Sequence, residues 1–184
     1  MHVMGTMTLP WNHRIPMSWE DYEELGSNFR GEYIDGFLIM SPSPTGPHQD
    51  ISYHLAKRID AVLPKSAHFR EAWGWKPGSD EFIPDLVVFD RKDATDSRRL
   101  SAIPHLVVEI LSTDWAADIF KKAAKYAATG LERYWIVDPA GPEIMVYELR
   151  QGVFVETARH VPGTVATLDV GPAEITIDPA DLLT

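Results

Sequence analysis

Two acidic residues stand where apolar ones are expected. Asp85 lies in "IPDLVVF" and Glu109 in "HLVVEIL", both of which read as strands buried on their two faces. A buried carboxylate is costly unless it is paired, hydrogen-bonded or bound to a cation. In the second strand Glu109 shares a face with Val107 and Leu111, while Val108 and Ile110 point the other way. Asp85 enters its own strand directly after Pro84. If the two strands are neighbours, both carboxylates reach one point at the sheet's end, an oxygen-donor arrangement suited to Mg²⁺. The alternative is that backbone amides or an arginine satisfy each one. A helix then follows, and its Asp118, Lys122 and Tyr126 recur at i, i+4 and i+8 as one stripe. A lysine brought to the carboxylates by that stripe can bind a phosphate oxygen or help deprotonate a water. Otherwise Asp118 and Lys122 form an ordinary solvated pair, contributing a few tenths of a kcal/mol.

These groups need elements to position them. Residues 1–16 read as a loose leader interrupted by Pro10 and Pro16. Ser18 caps a short helix running to about Gly26, with Asp21 in its first turn. "EYIDGFLIM" gives two strands around an Asp35-Gly36 turn. In "DISYHLAKRIDAVLP" Ile51, Leu55, Ile59 and Val62 repeat at helical spacing, and Pro64 ends the helix. Residues 67–76 and 81–89 read as strands joined by "KPGSD", and 91–104 as a polar surface loop. "HLVVEIL" is a central strand. Thr113 or Asp114 caps the helix "WAADIFKKAAKYAAT", which closes at Gly130. "RYWIVD", "EIMVYEL" and "VFVETAR" are strands, and "GPAEITIDPADLL" an edge strand with a short terminal helix. With no repeat or linker, residues 1–184 read as one α/β or α+β domain, a mixed sheet with helices packed on it.

Composition narrows the function. The chain has 184 residues, 45% hydrophobic and 24% charged, ordinary for a globular protein. No cysteine is present, so disulfides, zinc–thiolate sites and thiol catalysis are all excluded. No apolar run of about eighteen residues or more spans a membrane, and the N-terminus lacks a signal-peptide pattern. A cytoplasmic protein is the default expectation. The 27 acidic against 17 basic residues give a net charge of −10, which argues against non-specific nucleic-acid binding. A carboxylate cluster holding a metal is itself locally acidic, so a nucleic-acid enzyme is not excluded.

Other motifs are weaker. His54 lies six residues beyond His48, not at the i+4 spacing of a helical zinc pair, and no H-E-x-x-H occurs. No G-x-S-x-G elbow, P-loop or dinucleotide fingerprint is present. Trp73 and Trp75 alternate on one strand face and suit core packing or a dimer interface better than base stacking. Trp135 belongs in the core.

The order "PDLVVF", "VVEILS", a helix with Asp118, Lys122 and Tyr126, then "GLERYWIVDP" resembles the Uma-two family, putative restriction endonucleases of the PD-(D/E)XK nuclease superfamily. The upstream "EYIDGFLIMSPSPTGPHQ" is similar to the same family, with Tyr33 and Phe37 replacing its commoner Leu and Glu. The likeness covers roughly residues 15–150. It implies a restriction-endonuclease-like core and Mg²⁺- or Mn²⁺-dependent hydrolysis of DNA phosphodiesters, with Asp85 and Glu109 as metal ligands and catalytic residues. The superfamily's lysine two places after the glutamate is replaced here by Leu111, and the resemblance assigns its role to Lys122. It also implies Glu32 as a further ligand, places His48 near the site and, by analogy with duplex cutting, suggests a homodimer. The rival readings are a catalytically silent DNA- or protein-binding module on the same fold, and a metal-dependent hydrolase of another phosphate substrate.

Overall fold

The computed structural model describes residues 14–26, 29–112 and 116–183, the side chains of 116–118 excepted. Strand Arg14–Pro16 (β1) and helix Trp19–Glu24 (α1) precede the hairpin Glu32–Ile34 (β2) and Phe37–Ile39 (β3). Helix Gly46–Val62 (α2) follows. Strands Ala67–Glu71 (β4), Gly74–Trp75 (β5), Leu86–Asp90 (β6), Arg99–Leu100 (β7) and Leu106–Ile110 (β8) lead to helix Ala116–Ala128 (α3). Strands Arg133–Asp138 (β9), Glu143–Arg150 (β10), Val153–His160 (β11), Ala166–Asp169 (β12) and Glu174–Ile177 (β13) end in a 3₁₀ segment, Pro179–Leu183.

The main sheet has six strands in the order β11-β10-β9-β8-β6-β4. Strands β8 and β9 are parallel, joined by α3 as the crossover, and the remaining pairs are antiparallel. This is the mixed sheet flanked by helices expected from the sequence. Strand parity splits the core in two. Leu86, Val88, Leu106, Val108 and Ile110 face Ile51, Leu55 and Ile59 of α2 together with the β12–β13 pair. Val87, Phe89, Val107 and Ile136 face the other way, onto Ile119 and Tyr126 of α3 and onto Trp73, Trp75 and Phe82. Glu109, odd-numbered like Val107, belongs to this second face. Trp75 and Trp135 are sealed inside, as their apolar surroundings require.

Local signals worked where the chemistry is local. Ser18 accepts a hydrogen bond from the Asp21 N–H at 3.1 Å, and Gly130 closes α3 at φ +87°. Asp35 and Gly36 both take positive φ, the geometry of a tight hairpin turn. Thr113 and Asp114, the expected cap of α3, lie outside the described residues.

Several expectations are corrected. Residues 14–16 of the supposed leader pair with β3, with Pro16 last in an edge strand, where its missing N–H is tolerated. Residues 1–13 lie outside the described residues. Helix α2 begins at Gly46 instead of Asp50, because Thr45 caps it and Pro47 suits its first turn; Val62, expected on the apolar stripe, is exposed. The strand read over 67–76 breaks at Ala72, which holds a φ of +45°. That read over 81–89 begins only at Leu86, because Glu81 bridges to Tyr33 and Phe82 to Trp75. The supposed surface loop 91–104 contains buried β7, parallel to β5. Leu100 enters the core there, while Arg99 is held by Glu81 at 2.8 Å. The tail strand β13 pairs with β12 in a separate two-stranded sheet instead of edging the main one.

Among the described residues no helix is long and apolar enough to cross a membrane. The sealed position of Trp135 makes a specific demand: Trp135→Ala is expected to lower stability by about 3–5 kcal/mol, read from urea unfolding.

Candidate active site

Asp85 sits one residue ahead of β6. Leu86 is paired with Val108 and Val87 with Val107, so extending the antiparallel register by one position sets Asp85 across from Glu109. The Ile110 N–H donates to Asp85 Oδ2 at 2.6 Å, and the Ala72 N–H to the Asp85 carbonyl at 3.1 Å. Asp85 Oδ1 lies 3.1 Å from His48 Nε2. The earlier start of α2 explains this contact, for it puts His48 in the helix's first turn, where its N–H also meets the Thr45 side chain.

Glu109 is only 4% exposed. Its Oε1 accepts from Lys122 Nζ at 3.0 Å and from the Tyr126 hydroxyl at 2.6 Å. Lys122 Nζ also lies 2.8 Å from Glu32 Oε1, and that oxygen accepts from the Ile83 N–H at 2.8 Å. Lys122 and Tyr126, one turn apart on α3, thus project inward onto Glu109, and a solvated Asp118–Lys122 pair is not how this lysine is used. The Asp118 side chain lies outside the described residues. Four elements meet here: β2 supplies Glu32, the entry to β6 Asp85, β8 Glu109, and α3 Lys122 with Tyr126.

One ammonium among three carboxylates leaves an excess of negative charge. Burial, with Asp85 and Glu32 adding to it, pushes the Glu109 carboxyl up to about 7, although Lys122 and the Tyr126 bond oppose the rise. Burial also disfavours charge on Lys122, but Glu109 and Glu32 more than reverse this and hold it above the usual lysine range. Burial lowers and Asp85 raises the His48 pKa, the net direction being upward. Tyr126 is pushed far up by burial and then by Glu109, so its hydroxyl stays a donor.

Glu32, His48, Asp85, Glu109 and Lys122 line a cleft of about 780 Å³, together with Arg14, Arg30, Ile39, Pro42, Pro44 and Lys121, while Tyr126 is buried behind them. At its side Lys125 Nζ binds Asp35 at 2.7 Å and Asp80 at 2.8 Å. Sequence reasoning missed that pair and both arginines. Asp35 and Asp80 are distant from Lys125 along the chain, and no local pattern announces such contacts. Trp73 and Trp75, expected in core packing or a dimer interface, are buried in the core.

Among the described residues no three His, Asp or Glu side chains are gathered as a ready metal shell. The donor chemistry nonetheless suits a hard cation: the available ligands are carboxylate oxygens, and their mutual repulsion at Glu109 is what an added positive charge would relieve.

The Uma2 family, described as "Putative restriction endonuclease", matches the chain over residues 19–180. The fold is similar to the crystal structure of a putative nuclease belonging to DUF820 from Anabaena variabilis ATCC 29413. The TM-score is 0.77 and the identity 23%, over 91% of this chain and 98% of that one. No curated protein matches the chain.

The elevated Glu109 carboxyl has a consequence for stability. A carboxyl whose folded pKa exceeds its unfolded value binds more protons when folded. Its contribution is therefore fully present below the ordinary glutamate range and is lost as pH rises through about 7. In metal-free protein the urea midpoint is expected to fall between pH 5 and 8, and Glu109→Gln to flatten that fall. An unchanged slope in the variant would assign the titration to another group.

Proposed function

The chain belongs to the Uma2 family, and from that membership we propose that it is a metal-dependent endonuclease hydrolysing DNA phosphodiester bonds. The observation that carries this reading is the meeting of Asp85, Glu109 and Lys122 at the floor of one cleft. Asp85 and Glu109 would hold Mg²⁺ or Mn²⁺, with Glu32 alongside. When bound, such a cation lowers the pKa of a water and neutralises charge on the phosphate.

The chain's own residues divide the remaining work. His48 and the Ile110 N–H fix the two oxygens of Asp85. Tyr126 fixes Oε1 of Glu109 and so orients the carboxylate plane. Lys122 carries its proton on Nζ at neutral pH, because two carboxylates hold it charged. In that state it serves as an electrostatic partner for the phosphate oxygens. Cutting both strands of a duplex would call for two copies of the chain.

Cleavage of plasmid and oligonucleotide DNA tests this reading. Activity is expected with Mg²⁺ or Mn²⁺ and none with excess chelator. Asp85→Asn and Glu109→Gln should abolish it, and Lys122→Ala should lower it by roughly a hundredfold to a thousandfold, as for loss of one electrostatic donor. Chelator-insensitive cleavage, or full activity in Lys122→Ala, would overturn the scheme.

A further inference from the structure

We propose that the cleft admits an unpaired nucleotide segment, so that the substrate is single-stranded or splayed DNA and not an intact duplex; this rests on the nuclease reading for its chemistry. The first ground is depth. Glu109 is 4% exposed, and the side chains of Lys122 and Asp85 are 14% and 22% exposed. A group that reacts there must enter the recess. A duplex is a stiff rod that keeps its bases stacked inside and its phosphates spread along the outside. An unpaired strand can turn one phosphate inward and swing the adjoining base aside.

The second ground is size. About 780 Å³ is the scale of a pocket for a small organic ligand, enough for roughly one to three nucleotides. The third ground is the character of the wall. The β2–β3 hairpin and the loop after it line the cleft with Ile39, Pro42 and Pro44. Apolar surface of that kind suits the face of a base, whereas a phosphate pressed against it would lose hydration without a partner. Cationic side chains are present as well: Arg14 and Arg30 line the cleft and are exposed. They can take the phosphates flanking the one that enters. Single-strand sites elsewhere combine the same two ingredients, a surface for bases and cations for the backbone.

Fluorescence anisotropy on the full chain, in Ca²⁺ to hold the strand without turnover, reads the strand preference independently of cleavage. The probes are a labelled 12-mer single strand, its blunt duplex, and unlabelled thymidine monophosphate as competitor. The single strand is expected to bind roughly a hundredfold tighter than the duplex, because the duplex must first be opened. Arg14→Ala combined with Arg30→Ala should weaken single-strand binding and reduce its log–log salt slope by about 1.4. Equal or tighter binding of the duplex overturns the inference. So does competition by the mononucleotide at the strand's own affinity, which would instead indicate a small phosphate substrate. Cleavage of both probes with Mg²⁺ is scored separately. A strand preference without cleavage of either probe would sink the nuclease reading and leave the cleft a single-strand binding site only, whereas equal cutting of duplex and single strand would keep the nuclease reading and overturn this inference.

Discussion

The site depends on one buried ammonium. Lys122 reaches from α3 to Glu109 on the central strand and to Glu32 on the hairpin, two buried carboxylates that would be costly to bring together without a cation between them. The contact therefore joins three separate parts of the fold: the crossover helix, the sheet and the N-terminal hairpin. Removing the lysine would leave two carboxylates facing each other at low dielectric, which is why its role extends beyond any chemistry it performs. A second lysine one turn's reach away, Lys125, repeats the tie with Asp35 and Asp80. The hairpin that walls the cleft is thus pinned to α3 at two points.

The same contact bears on one departure from the resemblance. The nuclease superfamily that the sequence resembles puts a lysine two residues after the strand glutamate, where this chain has Leu111. Leu111 packs against the second core face. The positive charge arrives instead from a helix that the parallel β8–β9 connection must place over the same face of the sheet. A lysine in a different element meets the same carboxylate from another direction.

How much could be read in advance follows from the range of each interaction. The parity of "HLVVEIL" assigned Glu109 to one face without any coordinates. The four-residue spacing of Lys122 and Tyr126 put them on one side of a helix, and the Ser18 cap and Gly130 stop are signals within a single turn of chain. What stayed hidden was non-local. The two-residue pair β5–β7 has no periodicity to detect, and Arg99 looked like a loop residue because its partners Glu81 and Glu23 lie far away in sequence. The choice between a solvated lysine and a buried one likewise depended on where α3 docks, which no spacing rule supplies.

The alternation along β8 separates two kinds of duty. Leu106, Val108 and Ile110 meet α2 and the β12–β13 pair, while Val107 and Glu109 meet α3 and the cleft. Aliphatic changes on the α2 side leave α3 and its contacts to Glu109 in place, but any that shift α2 itself carry His48 with it and so move a partner of Asp85. One helix thus serves the core with Ile51, Leu55 and Ile59 and the cleft with His48, so packing on that face and the setting of Asp85 are coupled through it.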